Sequence, residues 1–261
     1  MNTEDIKLIK GDCLIEMQNI PDKSVDCIIC DLPYGVTACK WDIVIPFGKL
    51  WEQYNRIIKD NGAICLFGIE PFSSALRTSN LKMYKYDWVW KKTRKLGFTN
   101  AKNKPLNDHE CISVFSKGFC ANGSKNKMIY IPQGLLPYGK RVKGEKRGIA
   151  GMLGHRFSRP SHKKSYVQEY TNYPSQIIEF ASESKPTHPT QKPTALIEYL
   201  IKTYSNEGET ILDNCMGSGT TAVACINTNR KFIGIELDEN YYNIACKRVE
   251  ETMNNKQLNL F

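Results

Sequence analysis

Two short apolar segments, each running straight into a turn that carries an aspartate, constrain this chain's fold more than any other feature. The first is Val25-Asp26-Cys27-Ile28-Ile29-Cys30, followed by Asp31-Leu32-Pro33-Tyr34. The second is Ile211-Leu212, followed by Asp213-Asn214-Cys215-Met216-Gly217-Ser218-Gly219-Thr220-Thr221. Short apolar runs bounded by turn signals read as buried strands. Their alternation with helical periodicity implies an α/β fold with a largely parallel sheet. Helical spacing appears at 47–59, where Leu50, Tyr54, Ile57 and Ile58 share a face, and again at 193–204, 220–228 and 240–251. Further strands are expected at 62–68, 84–91, 111–115, 210–213 and 231–236, with an antiparallel pairing open for 84–91 and 111–115.

Charge is segregated along the chain. The net charge is +9, but residues 117–166 hold 12 Lys and Arg against a single acid, Glu145, and residues 82–104 hold 8 against Asp87, so the remainder is net acidic. Such segregation is the footprint of a polyanion-binding face on an acidic body, although a solvated basic loop carries the same signature. Within 118–154 there are eight glycines and no sustained period, which reads as an irregular recognition lobe or a loop that orders on binding. The opening residues Met1-Asn2-Thr3-Glu4-Asp5 form no apolar leader, and no apolar run approaches the ~20 residues of a membrane span, so a cytoplasmic protein without a membrane partner is expected. Cys27 and Cys30, three apart on a strand, point to opposite faces and cannot share a metal. The ten cysteines read as small apolar fillers in a reducing compartment, and no metal site is expected.

The two turns suggest chemistry. Glu236 ends the segment Phe232-Ile233-Gly234-Ile235-Glu236, nineteen residues beyond Gly217. An acid about 20 positions after a glycine turn suits hydrogen bonding to a ribose diol. The turn lacks the full G-x-G-x-x-G pattern and the lysine of a phosphate loop. A nucleoside without phosphates fits better, and S-adenosylmethionine is such a nucleoside; the alternative is a tight strand-to-helix turn. Asp31-Leu32-Pro33-Tyr34 falls at a strand end, where α/β folds place ligands. The Asp31 carboxylate and the Leu32 carbonyl could hold the two hydrogens of an exocyclic amino group and localise its lone pair. Pro33 stiffens the turn, and Tyr34 offers a face for a base rotated out of the duplex. Taken alone, the tetrapeptide reads more readily as an ordinary Asp-x-Pro turn.

Together, Asp31 to Gly35, then His188-Pro189-Thr190-Gln191-Lys192-Pro193, then Asp213 to Thr221 with Gly234-Ile235-Glu236, resemble the amino-group DNA methyltransferases. Their order resembles the circularly permuted β-class, in which the catalytic motif precedes the target-recognition region and the cofactor loop comes last. The likeness runs from Gly11-Asp12-Cys13-Leu14 to Arg248, excepting 118–185. The resemblance implies a Rossmann-like methyltransferase fold with a mixed, mostly parallel seven-stranded sheet. It implies a catalytic half at 1–117, a basic recognition insertion at 118–185 and a cofactor half at 186–261. Asp31, Leu32, Pro33 and Tyr34 would form the catalytic pocket. Asp213, Gly217, Ser218, Gly219 and Thr220 would cradle the methionine part of S-adenosylmethionine and Glu236 its ribose, with Asp12 near the adenine and Thr190 and Lys192 closing the site. His188 to Pro193 reads equally as a proline-rich loop before a helix that starts at Pro193. Two departures from the family pattern stand out: Leu32 replaces a proline, and Asn214-Cys215 replaces Pro-Phe, removing an aromatic wall.

Duplex DNA is the partner so implied, with a homodimer and a cognate restriction endonuclease left open. Lys140, Arg141, Arg147, Arg156 and Arg159 in the basic lobe, and Lys91, Lys92 and Arg94 beside Trp88 and Trp90, are the candidate DNA contacts. The arginines of the lobe are candidate readers of guanine by bidentate pairing. The resemblance links Asp at the first motif position, here Asp31, with N6-adenine and Ser with N4-cytosine, which implies adenine as the target with cytosine as the alternative. An inactive DNA-binding relative, and methylation of RNA or of a protein glutamine, are the other readings.

Overall fold

The strand Val25–Cys30 is buried at every position, and its two faces feed different layers of the core. Cys27 and Ile29 pack with the helices of one layer, and Ile28 and Cys30 with those of the other. A computed structural model describes residues 3–36, 42–143, 165–183 and 191–258 of the chain. In order the strands are β1 (Ile6–Lys10), β2 (Val25–Cys30), β3 (Ile58–Gly68), β4 (Tyr84–Leu96), β5 (Asn107–Phe115), β6 (Leu136–Lys143), β7 (Ser165–Thr171), β8 (Ile177–Phe180), β9 (Thr210–Asp213) and β10 (Lys231–Glu236). The helices are α1 (Cys13–Glu16), α2 (Phe47–Ile57), α3 (Phe72–Ser79), α4 (Thr194–Tyr204), α5 (Thr220–Asn227) and α6 (Glu239–Leu258).

Contacts divide the chain into two compact units, Met1–Ile131 with Gln176–Phe261, and Pro132–Ser175. The larger unit is built on one sheet in the order β1-β10-β9-β2-β3-β5-β4-β8. From β1 to β3 all neighbours run parallel, β5 is antiparallel to both β3 and β4, and β8 is parallel to β4. Helices α4, α5 and α6 cover one face and α2 and α3 the other, which is the layered arrangement that a parallel sheet requires. The smaller unit contains the antiparallel pair β6–β7.

Among the described residues the sheet has eight strands, not seven. The added strand is β8, a four-residue edge strand whose Ile177-Ile178-Glu179-Phe180 lies in the stretch assigned by sequence to the insertion. It is held by Trp90, whose indole N–H donates to the Phe180 carbonyl at 3.0 Å, and by pairing of Val89–Lys92 along β4. The compact smaller unit is also narrower than the 118–185 insertion. Met128 is buried in the larger core, and the Ile131 N–H donates to the Thr203 carbonyl at 2.8 Å. Strand β6 lies within the glycine-rich 118–154, where Pro137 and Gly139 interrupt any readable alternation. Helix α2 ends two residues early because Ile58 already opens β3. Among the described residues no helix is long and apolar enough to cross a membrane.

A candidate active site at the carboxyl ends of β2 and β9

Strands β2 and β9 lie side by side and parallel, with Cys27 beside Ile211 and Ile28 beside Leu212. The residues that follow them therefore leave the sheet at one edge, the edge where open α/β sheets bind ligands. A cavity of about 530 Å³ opens there, and Asp31, Tyr34, Phe67, Lys192, Gly217 and Glu236 all line it. That volume suits a small organic ligand. Leu32, Pro33, Asp12, Asp213, Ser218 and Thr220 also contribute to its wall.

The first loop is tied down from several directions. Asp31 accepts the Tyr34 hydroxyl on Oδ1 at 2.5 Å and the Lys192 ammonium on Oδ2 at 2.7 Å. Leu32 is buried beneath the turn. Asp42 accepts the backbone N–H groups of Gly35 and Val36 at 2.8 and 2.9 Å, fixing a bend in which Gly35 takes φ +69°. The Tyr34 ring is 4.9 Å from that of Phe72, and burial, with the Asp31 and Glu110 carboxylates, pushes its phenol well above the usual range. Lys192 also lies 3.1 Å from Glu110 Oε2, and Lys92 lies 2.5 Å from Glu110 Oε1. Asp31, Lys192, Glu110 and Lys92 thus form a row of alternating charge. Burial alone would lower the Lys192 pKa, but Asp31 and Glu110 outweigh it and raise the ammonium above its ordinary value.

The second loop is organised by its own acids. Asp213 accepts the Thr221 hydroxyl at 2.6 Å and the Cys215 N–H at 3.2 Å, and burial pushes its carboxyl up to about 7. Glu236 accepts the Gly217 N–H at 2.9 Å and the Asp238 N–H at 2.8 Å. Its pKa is raised by burial. Gly217 takes φ +52°, and a Cβ there would meet open space. Gly219, with φ +78°, is different: its Cβ would come within 2.9 Å of Ala245 Cβ on α6, so this glycine serves helix packing and is turned away from the cavity. Arg248 on α6 donates to the Ser218 carbonyl at 2.6 Å and to the Thr220 hydroxyl at 3.3 Å. Asn214, at the first of the two departures from Pro-Phe, is buried and accepts the Tyr54 hydroxyl. Asp12 caps α1 by accepting the Leu14 N–H at 2.8 Å. Thr190, His188 and Pro189 lie outside the described residues.

The sequence profile of the DNA methylase family matches residues 25–247, most of the chain. The chain belongs to that family. Among curated relatives, the type II methyltransferase M.HpaI of Haemophilus parainfluenzae is 28% identical over 96% of this chain and 76% of its own length. The DNA adenine methyltransferase YhdJ of Escherichia coli is 25% identical over 93% and 82%. Among solved structures, the complex of M1.HpyAVI with SAM matches with a TM-score of 0.60 and 25% identity, covering 93% of this chain and 99% of that one. The cytosine-N4-specific PvuII methyltransferase matches with a TM-score of 0.62 at 12% identity, over 96% and 92%, a likeness of fold alone.

In this methylase the candidate DNA contacts fall into three groups. Lys92 is not a surface cation, because its side chain is 12% exposed and ion-paired with Glu110. Trp88 and Trp90 are core residues, 3% exposed; Trp88 donates to the Tyr204 hydroxyl at 2.5 Å, so neither is a surface aromatic. Lys91 is exposed but paired with Glu179 at 2.9 Å, and Arg94 is exposed. Lys140 and Arg141 are exposed on β6, with the Lys140 ammonium 5.3 Å from the Tyr138 ring. Arg147, Arg156 and Arg159 lie outside the described residues. Sequence reasoning missed Glu110 and Asp42. A signal existed for Glu110, a lone acid opening the apolar run Cys111-Ile112-Ser113-Val114-Phe115, since an acid at a strand position next to core residues needs a partner.

Proposed function

We propose that this methylase transfers a methyl group from S-adenosylmethionine to the N6 amino group of adenine at a specific site in duplex DNA. The observation that carries the reading is the convergence of Asp31, fixed by Tyr34 and Lys192, with the Gly217 loop and Glu236 on one cavity. The adenine assignment draws support from the Asp at position 31 and from YhdJ, which is named for adenine. The cofactor assignment draws support from M1.HpyAVI, solved with SAM.

The residues present fit that cofactor. The Gly217 loop leaves open space where a side chain would project, and the cavity carries acids but no phosphate-type lysine loop. Asp12, Ser218, Thr220 and Glu236 would hold it, and it would supply an electrophilic methyl group. Asp213 contributes indirectly by shaping the loop through Thr221 and Cys215. The chain's own task is to make an amino nitrogen nucleophilic. Each Asp31 oxygen carries a lone pair beyond the one already engaged, so the carboxylate can accept an amino hydrogen while Tyr34 and Lys192 keep it in place. The Leu32 carbonyl takes the other hydrogen. The negative carboxylate would stabilise the positive charge that grows on nitrogen as the N–CH3 bond forms and the S–CH3 bond breaks, its electron pair going to sulfur; the methylated nitrogen would then lose one proton to water. Pro33 stiffens the turn and Tyr34 flanks the base.

In this reading the region 118–185 recognises the target, with Lys140, Arg141, Arg147, Arg156 and Arg159 joined by Lys91 and Arg94. Phosphate contacts give affinity and base-edge contacts give specificity. A bacterial or phage-infected cytoplasm, a homodimer and a cognate endonuclease belong to the same proposal, the last supported by relatives named type II methyltransferases. Single-molecule sequencing of DNA from cells expressing the chain tests the activity and its target together. N6-methyladenine in one short context is expected, whereas N4-methylcytosine or unmodified DNA would overturn the assignment.

A further inference from the structure

The row Asp31–Lys192–Glu110–Lys92 joins three separate parts of the fold: the turn after β2, the approach to α4, and the paired strands β4 and β5. Three of its members are nearly dry, with side-chain exposures of 8% for Lys192, 10% for Glu110 and 12% for Lys92; Asp31, at 26%, is the most exposed, and it shares the cavity wall with Lys192 and Glu110. A lysine has four rotatable bonds, and one carboxylate partner leaves its ammonium free to swing. Two partners hold it from different directions: Asp31, in the turn after β2, by a hydrogen bond, and Glu110, on β5, by an ion pair. Glu110 is itself pinned, because Lys92 holds its other oxygen at 2.5 Å. The groups facing Lys192 are the Asp31 and Glu110 carboxylates and the rings of Tyr34 at 6.0 Å and Phe67 at 5.2 Å. Those facing Glu110 are the Lys92 and Lys192 ammoniums.

We propose that Glu110 is a positioning residue for methyl transfer: through Lys192 it fixes the direction in which Asp31 presents its remaining lone pairs to the target amino group. The proposal rests on the reading of Asp31 as the catalytic carboxylate. It also gives Lys92 a task inside the protein, the neutralisation of Glu110, in place of a phosphate contact. Burial opposes the charged form of Lys192 and two carboxylates outweigh it. With Glu110 gone, one carboxylate remains against the same burial. The Lys192 pKa must then fall, and the ammonium that steadies Asp31 is lost at high pH.

The test is the pH profile of kcat at saturating cofactor and DNA, from about pH 7 to about pH 9.5, for the wild type, Glu110→Gln and the double variant Glu110→Gln/Lys92→Gln. The double variant removes one charge of each sign, so the buried balance is kept if the single variant folds poorly. The wild type is expected to hold its turnover across the alkaline range. Both variants should lose about tenfold in kcat at neutral pH, less than loss of a direct contact would cause. They should gain an alkaline limb, with cofactor Kd within about twofold of wild type. A kcat equal to wild type, or a loss identical at every pH in both variants, would overturn the proposal while leaving the functional reading intact. A wild-type protein that methylates no DNA would remove both.

Discussion

Asp31 and Asp213 lie at the carboxyl ends of neighbouring parallel strands, yet one meets a buried ammonium and the other meets a hydroxyl, a backbone amide and the Cys30 thiol. Asp213 closes β9 and is still paired with β10, whereas Asp31 lies just past the end of β2, and the two neighbouring strand ends support two kinds of carboxyl group. Asp31 is half-buried, paired with Lys192 and open to the cavity, the condition for an acceptor that must meet a changing charge. Asp213 is enclosed, and without a cation its carboxyl is pushed by burial up to about 7. It acts as a brace for the turn. A third aspartate, Asp26, lies on β2 at the far end of the same two strands. It accepts the Thr210 N–H at 3.0 Å and pairs with Lys59 at 2.5 Å, but that lysine is 42% exposed. Strand-end aspartates are thus assigned their work by what faces them and by how much water reaches the pair.

The sharpest way to break the comparison is Asp31→Ala. Loss of a preorganised group aimed at developing charge costs roughly 10²–10³ in rate. Labelled methyl incorporation should fall by that factor, while cofactor and DNA binding titrations stay near wild type. Full turnover would mean that the two aspartates do not differ in kind.

Asp213→Asn tests the other half. The folded-state pKa of Asp213 is raised from 3.8 to about 7, so the stability it contributes is fully present below about pH 4 and is lost as pH rises through 7. The asparagine variant does not titrate. Its stability relative to wild type should improve by about 2–4 kcal/mol between acid and alkaline pH, since each tenfold change in proton affinity is worth about 1.4 kcal/mol. Urea melts at pH 4.5, 6 and 8 report it, and a difference constant across them would show that Asp213 is not a buried neutral acid.

Much of this contrast is legible in the sequence. Val25–Cys30 and Thr210–Asp213 are short apolar runs that end in turns, and both are strands of one sheet. What stays hidden depends on partners far along the chain. The ammonium that steadies Asp31 comes from Lys192, and its second carboxylate from Glu110 on a different strand. Trp88 and Trp90 alternate with charged neighbours and so resemble a surface strip, but β4 is covered on that face by α4, where Tyr204 takes the Trp88 indole N–H. The edge strand β8, four residues long, is too short to show a period, and it exists because β4 offers a ladder. Cys27 and Cys30 fall on opposite faces, as strand alternation requires.

Two smaller effects refine the comparison. Gly219→Ala should destabilise by about 1–3 kcal/mol, since the backbone is left-handed and the new methyl meets Ala245 at 2.9 Å. Gly217→Ala, with open space around its Cβ, should cost less in stability and more in cofactor affinity. A thermal melt beside a cofactor titration separates them, and equal loss in both would mean that the two glycines share one role. Lys59→Met should cost about 1–2 kcal/mol, more than an exposed pair, because Asp26 is 5% exposed although Lys59 is 42% exposed. A loss several times larger, measured by urea unfolding, would show that exposure does not distinguish Asp26 from Asp31.

The contact between Gly219 and Ala245 has a genetic counterpart. A variant bearing Gly219→Ala carries two separable burdens, a torsional one in its own backbone and a steric one against α6. A second-site change, Ala245→Gly, removes the 2.9 Å contact but not the 3.1 Å approach to the Cα at position 245, and leaves the torsional burden untouched. A screen for restored methylation starting from Gly219→Ala should therefore return glycine at position 245 as a partial suppressor. The same screen starting from Gly217→Ala, whose Cβ would touch nothing, should return no suppressor there.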